Sequence, residues 1–447
     1  RGLGDVYKRQ MEPFYRLLPF SLTRAQQQSI DDILRDLASC RPMNRLVQGD
    51  VGSGKTMVAA AACFCAIQNG HQAAFMAPTE ILAEQHAVSL AKLFSPLGIS
   101  VALMTGSLPA TQKRQRKAEI ADGSAQLIVG THALITQDVA FHDLALVVCD
   151  EQHRFGVAQR AALSAKGQTP HLLVMSATPI PRTLALIAYG DLDVSVIGEL
   201  PPGRLPVDTF LIGEDKRQRL NAFIEKQCEA RHQVYIVCPT VEESDLDSLK
   251  SAESFAQTLR QAVFPHRRVG LLHGKMKQAD KDAALGAFSR GETDILVATT
   301  VVEVGVDVPN ATLMVIENAD RFGLSQLHQL RGRVGRGSAQ SYCVLVSGNR
   351  NEQTRKRLKA LCATTDGFKI AEEDLALRGP GDFLGSRQHG LPLFKVADLQ
   401  LDIQTLLEAK QAAGEEIRDA ETLEQPEYAA LRTRVHALFR QSDLALN

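Results

Sequence analysis

The chain has 447 residues, and at roughly 150 residues per domain this length predicts about three domains. Hydrophobic residues make up 45% and charged residues 23%, which excludes a wholly disordered chain, a collagen-like repeat and a coiled-coil rod. The longest unbroken apolar run, Met57 to Ile67, has 11 residues, short of the ~20 that span a bilayer, so we expect no membrane protein. Lys and Arg total 50 against 51 for Asp and Glu, and a net charge of −1 taken alone argues against a polyanionic partner.

The cysteines and the first residues bear on location. The eight cysteines include no Cys-x-x-Cys pair and no Cys/His cluster at zinc spacing, and several lie in apolar, strand-like runs. We therefore expect buried, reduced thiols in a cytoplasmic protein. Residues 1–12 lack an initial Met and the apolar stretch of a signal peptide, and we interpret them as a truncated or artificial start.

The hydrophobic pattern predicts the fold class. Over 13–200, short runs that are apolar on both faces alternate with segments of helical length, and the pattern resumes over 207–352 after the Pro-rich segment Glu199–Pro206. This alternation is typical of βαβ units around a buried parallel sheet. We predict an α/β fold with two tandem parallel-sheet lobes, followed by a small, mainly helical C-terminal domain over 353–447. The predicted strands are 45–48, 73–77, 126–129, 144–149 and 172–175 in the first lobe, and 234–238, 269–272, 295–298, 313–316 and 342–346 in the second.

One segment of the first lobe has the pattern of a phosphate-binding loop. Residues 49–56, GDVGSGKT, fit Gly, four residues, Gly, Lys, then Ser or Thr, and the helix-forming run Met57–Gln68 follows. Lys55 would reach the β- and γ-phosphates of a nucleoside triphosphate, and the Thr56 hydroxyl would hold Mg²⁺. The backbone that folds around phosphate oxygens would come from Gly49, Gly52, Ser53 and Gly54. An ordinary glycine-rich turn is the alternative. We predict that the chain binds a nucleoside triphosphate with Mg²⁺.

Two carboxylates end the predicted strand 144–149. At this place Asp150 can hold Mg²⁺ and Glu151 can orient the attacking water. An Asp-Glu pair is common and could also be a solvated strand end, but its position downstream of a phosphate loop favours the catalytic interpretation. For His153, a catalytic role and a packing role both stay open.

Two arginines of the second lobe form a third group. Arg333 and Arg336 are three residues apart, so on a helix they would project from one face. Two guanidinium groups held together suit the spread charge of a phosphoryl transition state. They reach the nucleotide only if the lobes close over it, which is the mechanical basis of a motor. A basic surface helix that faces a phosphate backbone or solvent is the alternative.

Together these segments resemble superfamily 2 helicases, whose two lobes are RecA-like. The resemblance makes Arg333 and Arg336 arginine fingers, and makes Ser176–Thr178 the motif that couples hydrolysis to nucleic-acid binding. It adds four residues to the nucleotide site: Gln26 near the base, Gly305, Asp307 and Gln329. It also implies contacts with the nucleic-acid backbone by Pro78, Thr79, Gly130 and Thr131 in the first lobe, and by His273, Gly274, Thr299 and Thr300 in the second.

Within that superfamily the sequence is more similar to the RecG branch-migration helicases, from about Pro13 to the C-terminus. The segments that carry this similarity are 49–56, 150–157, 175–183 and 378–388. The last one resembles a loop that transmits lobe movement to duplex DNA, which implies DNA contacts by Arg378, Arg387 and Gln388; a loop that merely packs the tail is the alternative. Since nothing before Pro13 resembles the family's wedge domain, we expect ATP binding with weak fork specificity.

The distribution of charge supports a nucleic-acid partner locally. From Arg331 to Ala360, eight basic residues stand against one acid, a net +7, whereas Leu401–Asn447 carries a net −4. The cluster Lys113–Lys117 fits a solvated helix face. Because aromatic residues are only 5% of the chain, we expect phosphate contacts more than base stacking.

The resemblance implies an ATP-dependent DNA helicase or translocase that remodels branched DNA, such as stalled forks and Holliday junctions, in repair and recombination. A transcription–repair coupling translocase has a similar motor, and the motor alone does not distinguish DNA from RNA. A nucleotide switch ATPase without nucleic acid is the alternative from another class. ATP hydrolysis with and without branched DNA, with Lys55→Ala as the blank, separates these hypotheses.

Overall fold

The computed structural model describes residues 7–39, 41–150, 166–167, 169–177, 192–201, 204–239, 245–299, 308–378, 402–416, 425–434 and 437. The chain divides into a larger unit, within 1–179 and 191–371, and a smaller one, within 180–190 and 372–447. The larger unit contains two parallel sheets in succession. We call the segment with the first sheet the first lobe and the segment with the second sheet the second lobe.

The first lobe contains a seven-stranded parallel sheet among its described residues, in the order β3-β4-β2-β5-β6-β1-β7. Its strands are β1 Asn44–Gly49, β2 Gln72–Met76, β3 Val101–Met104, β4 Leu127–Gly130, β5 Leu144–Cys149, β6 His171–Ser176 and β7 Asp193–Ile197. Its described α-helices are α1 Tyr7–Leu17, α2 Arg24–Ala38, α3 Lys55–Gln68, α4 Glu80–Phe94 and α5 Ala110–Ala121. The inner strands are apolar on both faces because helices cover both sides of a parallel sheet.

The second lobe contains six parallel strands among its described residues, in the order β10-β11-β9-β12-β13-β8. They are β8 Asp208–Ile212, β9 Gln233–Val237, β10 Val269–Leu272, β11 Ile295–Ala298, β12 Ala311–Ile316 and β13 Tyr342–Val346. Its described α-helices are α6 Arg217–Glu229, α7 Asp245–Thr258, α8 Gln278–Ser289, α9 Leu324–Arg331 and α10 Glu352–Ala363. The order repeats that of the first lobe strand for strand, apart from β7, so the predicted fold class of two parallel-sheet lobes is confirmed.

Every strand that the sequence analysis missed lies at a sheet edge. These are β3 and β7 at the two edges of the first sheet and β8 at one edge of the second. Their residues are only half-buried or alternate between buried and exposed, and all of β8 is exposed or half-buried. A search for short runs that are apolar on both faces finds the central strands and the apolar edge strand β10, but it misses edge strands of mixed polarity such as β8.

Three helices outside the two sheets add to the sequence analysis. Helix α1 begins at Tyr7, and its Met11 and Phe14 are fully buried in the core, so the described part of residues 1–12 packs with the first lobe. The interpretation of residues 1–12 as a truncated or artificial start stays a prediction. The predicted helical domain begins with two helices, α10 and α11 (Gly367–Arg378). They are separated because Asp366 Oδ1 accepts a hydrogen bond from Phe368 N at 2.9 Å and so begins a new helix.

The smaller unit contributes few described residues. Among them are the helix α12 Ile403–Glu416 and a 3₁₀ turn at Pro426–Tyr428. The predicted loop over 378–388 lies, apart from Arg378, outside the described residues, and the domain bounds given above stay a prediction.

Two further observations concern exposure to solvent and lipid. In the described part of the chain, no helix is both long and apolar enough to cross a membrane. The described cysteines are free thiols, and most are buried. Burial raises the pKa of Cys63 and of Cys343 to about 12. These thiols are therefore unreactive packing residues.

Candidate nucleotide-binding cleft

The phosphate-binding loop lies between the end of β1 and the start of α3. Gly52 and Gly54 have φ angles of +77° and +86°, a region that favours glycine. A Cβ atom at Gly54 would stand 2.2 Å from the Gln26 amide nitrogen, so the position has no room for a side chain. The loop therefore presents backbone N–H groups at the positive end of α3, the arrangement that binds phosphate.

Lys55 is held over this loop. Its side chain is nearly buried, and Nζ donates hydrogen bonds to the carbonyl oxygens of Gly49 and Asp50, both at 2.9 Å. The ammonium group consequently lies beside the loop backbone, and its predicted contact with phosphate stays a prediction.

Gln26 also contacts the loop. Its Oε1 accepts from Thr23 N at 2.9 Å, which caps α2, and its Nε2 donates to Ser53 O at 2.8 Å. The side chain is 1% exposed. The structure therefore places Gln26 against the backbone of the phosphate loop. Its position near the base of a bound nucleotide stays a prediction.

Asp150 follows β5 and is held by a histidine that the sequence analysis did not identify. Its Oδ2 lies 3.0 Å from His86 Nε2, and both side chains are largely buried. His86 lies on α4 and contacts the ring of Phe75 at a centroid distance of 4.7 Å. A lone histidine on a helix carries no sequence signal for such a role. Glu151 and His153 lie outside the described residues.

The arginines of the second lobe are not arranged as predicted. Helix α9 ends at Arg331, so Arg333 and Arg336 lie in the turn after it and do not share a helix face. Gly335 has a φ of +78°, which takes the backbone off the helical path. Arg336 Nε donates to Gly332 O at 3.4 Å, whereas Arg333 and Gln329 are buried.

A cleft between the two lobes brings together predicted residues from both. Its volume is about 890 Å³, and Thr56 of the first lobe and Arg336 of the second both line it. Gly332 also meets the phosphate loop, since a Cβ atom there would stand 2.7 Å from Val51 Cβ. Within the described ranges, no group of three or more His, Cys, Asp or Glu side chains is placed to hold a metal ion.

A linker arginine that the sequence analysis missed connects the same two segments. Arg204 donates to Val51 O in the phosphate loop and, through Nε at 3.2 Å, to Gly335 O beside Arg336. Such a bridge between residues far apart in the chain leaves no trace in sequence spacing.

The predicted nucleic-acid contacts of the first lobe lie where β2 and β4 end. Pro78 and Thr79 follow β2, and Thr79 Oγ1 accepts from Leu82 N at 3.4 Å at the start of α4. Gly130 ends β4, where a Cβ atom would stand 2.3 Å from Met104 O. Thr131 is 2% exposed, and its hydroxyl has no hydrogen-bond partner among the described residues.

Those of the second lobe lie where β10 and β11 end. His273 and the exposed Gly274 follow β10, and His273 Nε2 lies 3.5 Å from Glu253 Oε1. Thr299 follows β11, is buried, and donates through its N–H to Leu272 O at 3.1 Å. The two sets thus lie at the same half of each sheet's carboxyl edge, away from β1 and its phosphate loop.

Most of the remaining predicted site residues lie outside the part of the chain that the structure describes. Those outside the described residues are Glu151, Thr300, Gly305, Asp307, Arg387 and Gln388. Arg378 is the last residue of α11. The basic cluster Lys113–Lys117 lies on α5, where Arg116 pairs with Glu119 at 2.6 Å, which agrees with a solvated helix face.

Comparison with known proteins gives three family models in chain order. They are a DEAD/DEAH box helicase model over residues 23–187, a helicase conserved C-terminal domain over 215–338, and the C-terminal part of domain 3 of the ATP-dependent DNA helicase RecG over 364–444.

Individual proteins agree with these models. The chain is 55% identical to ATP-dependent DNA helicase RecG of Synechocystis sp. over 403 residues, 90% of this chain and 48% of that one. It is 50% identical to the protein of the same name in Bacillus subtilis, over 94% of this chain and 61% of that one. The chain thus spans about half the length of the curated relatives it matches.

A solved structure gives the same relationship. A RecG bound to a three-way DNA junction is 46% identical, with a TM-score of 0.78, over 91% of this chain and 53% of that one. A yeast Dbp5 bound to RNA and ADP BeF3, 17% identical with a TM-score of 0.55, shares the fold alone. By the matched models and these identities, the chain belongs to the RecG family of superfamily 2 helicases.

Proposed function

We propose that this chain is the motor of an ATP-dependent DNA helicase that remodels branched DNA, such as stalled forks and Holliday junctions, in repair and recombination. The observation that carries the proposal is the cleft that Thr56 and Arg336 line from opposite lobes. A nucleotide bound there would touch both lobes, so its binding and hydrolysis would change how they pack.

The nucleotide site is assigned from the loop outward. Phosphate oxygens would be held by the backbone at Gly49, Gly52, Ser53 and Gly54 and by the Lys55 ammonium group. Gln26, Gln329, Gly305 and Asp307 would complete the nucleotide contacts, and Glu151 would orient the attacking water.

Mg²⁺ fits the oxygen donors at this site. The Thr56 hydroxyl and the Asp150 carboxylate would hold the ion, because Mg²⁺ is commonly bound by one or two protein oxygens together with phosphates and water. When bound, the ion would neutralise negative charge on the phosphate oxygens. The His86 contact fixes the Asp150 carboxylate in position.

The two arginines are assigned different roles, although their spacing suggested that they act as a pair. Arg336 would stabilise the charge that develops on the transferred phosphoryl group, because it lines the cleft. Arg333 is 6% exposed and would reach the nucleotide only after the turn that carries it has moved.

DNA would contact the other half of each sheet edge. We assign Pro78, Thr79, Gly130 and Thr131 in the first lobe and His273, Gly274, Thr299 and Thr300 in the second to its backbone, and Arg378, Arg387 and Gln388 to the duplex that is moved. Backbone contacts carry no base sequence, so recognition would depend on the shape of the branch. The solved RecG bound to a three-way junction supports branched DNA as the substrate.

The test is ATP hydrolysis by the chain alone and with a three-way junction, a linear duplex of the same length, and a matched RNA. We expect the junction to stimulate hydrolysis most, and Lys55→Ala to show no hydrolysis with any of them. Hydrolysis that no nucleic acid stimulates would instead indicate a nucleotide switch ATPase, and stimulation by RNA alone would indicate an RNA helicase.

A further inference from the structure

The phosphate loop has a side-chain contact with the second lobe that nucleotide binding does not require. Asp50, the second residue of the loop, lies with Oδ1 2.6 Å from Nε2 of His328 on α9. The His328 side chain is 3% exposed and that of Asp50 20%. A hydrogen bond this short between a carboxylate and a largely buried ring is among the stronger polar contacts a protein makes.

The other ring nitrogen of His328 fixes the direction of this bond. Nδ1 lies 2.9 Å from NH2 of Arg331. A guanidinium group can only donate, so Nδ1 must accept. The ring hydrogen is therefore on Nε2, and His328 donates to Asp50.

Arg331 continues the chain of contacts away from the nucleotide. Its NH1 donates to the carbonyl oxygens of Leu361 and Thr364, both at 2.8 Å, and the residue is 3% exposed. Leu361 lies in the last turn of α10, and Thr364 directly follows that helix. The contacts thus run from the phosphate loop through α9 to the end of α10, where the chain turns into α11.

The electrostatics agree with a held carboxylate. Burial acts to raise the pKa of Asp50, but the hydrogen bond from His328, the hydrogen bond from the Val51 N–H and the charge of Lys55 act to lower it, and the pKa is lowered. Asp50 is therefore ionised at neutral pH, and removing His328 would leave a largely buried charge without this partner.

Resting on the proposed ATPase function, we propose that His328 is a positioning residue that ties the phosphate loop to the second lobe through Asp50 and to the end of α10 through Arg331. Movement of the loop on the nucleotide cycle must then either carry α9 with it or break this bond. His328 touches no reacting atom, and its effect is on turnover through the placement of the loop.

The experiment is a double-mutant cycle on the full chain with Asp50→Ala, His328→Leu and both together. With saturating ATP and junction DNA, we expect His328→Leu to lower kcat about tenfold while KM for ATP changes less than threefold, since Lys55 and the loop N–H groups remain. The double variant should lose no more than the worse single variant. His328→Gln, whose amide can donate to Asp50 and accept from Arg331, should restore kcat to within threefold, and His266→Leu, at an exposed histidine, should match the wild type.

Two results would overturn this proposed role of His328. One is a kcat for His328→Leu equal to that of His266→Leu, and the other is a loss of kcat in the double variant equal to the product of the two single losses. Urea unfolding of the same proteins tests the Asp50–His328 contact without hydrolysis. A loss of unfolding free energy in the double variant that is smaller than the sum of the two single losses supports the contact, and an additive loss refutes it. If the wild type hydrolyses no ATP with any DNA, the proposed function fails. The unfolding measurements still test the Asp50–His328 contact in that case.

Discussion

Strands β1 and β8 occupy the same place in two sheets of the same order, beside β6 and β13 respectively. The first continues into the glycine-rich loop 49–56, and the second into Gly213, Glu214 and Asp215. Gly213 has an ordinary φ of −90°, and no further glycine follows it before the next helix, so this loop lacks the left-handed glycine positions of the phosphate loop. One fold thus carries the phosphate-loop pattern in one lobe and a different loop in the other, because the loop can vary while the sheet stays the same.

The largest expected effect concerns Arg336, the arginine that the second lobe is proposed to supply to the nucleotide. Arg336→Ala should lower kcat for ATP hydrolysis about 10³-fold, the usual contribution of an arginine finger, with the Kd of a fluorescent ATP analogue changed less than about threefold. Lys55→Ala should lower kcat and also weaken binding of the ATP analogue, because Lys55 contacts the phosphates in the ground state as well.

Arg268→Ala, an exposed arginine of the same lobe paired with Asp294, is the control and should leave kcat unchanged. Normal hydrolysis by Arg336→Ala together with an inactive Arg333→Ala would contradict the assignment and move the finger to Arg333.

The second effect compares the two loops directly. Gly54→Ala should cost about 2 to 3 kcal/mol of unfolding free energy, because a Cβ atom is strained at φ +86° and would displace Gln26. Gly213→Ala, in the loop that follows the corresponding strand of the second lobe, should cost about 0.5 kcal/mol or less, because its φ is ordinary. Denaturant unfolding measures both, and equal losses would show that the loops are less different than their φ angles indicate.

A third effect compares two glutamines that cap helices in the same way. Gln26 Oε1 accepts from Thr23 N at 2.9 Å and Gln326 Oε1 from Gly323 N at 3.2 Å, but only the buried Gln26 also bonds the phosphate loop. Gln26→Ala should cost about 2 kcal/mol, and the exposed Gln326→Ala about 0.5 kcal/mol. Thermal or urea unfolding distinguishes the two, and a smaller loss for Gln26 than for Gln326 would count against the loop contact.

The smallest effect is a dependence on pH at the contact between lobes. The pKa of Asp50 is lowered from an ordinary 3.8, so its ionised form stabilises the fold above that value, and the stabilisation is lost as pH falls through the lowered pKa. The unfolding free energies of wild type and Asp50→Asn should therefore differ at pH 7 and converge in acid. If the difference in unfolding free energy between the two proteins stayed constant from pH 7 into acid, Asp50 would not be ionised in the fold.

The sequence allowed the central strands, the phosphate loop and the family to be predicted because each depends on residues close together in the chain. Strand β5 was predicted with its observed bounds since all six of its residues are apolar. The Arg333–Arg336 pair was misplaced because two glycines end the helix that the spacing assumed. Contacts such as His86 with Asp150, or Arg204 with Val51, depend on tertiary packing and left no local signal.

The buried cysteines have a practical consequence for watching the lobes move. With a pKa near 12, a thiol such as that of Cys63 or Cys343 is ionised to only roughly one part in 10⁵ at pH 7, and maleimide dyes react with the ionised form. One cysteine introduced on the outer face of each lobe should therefore take up dye selectively once the half-buried Cys238 and Cys362, and Cys40, which lies outside the described residues, are changed to Ser. A fluorescent pair attached in this way would report the distance between lobes molecule by molecule as nucleotide is added.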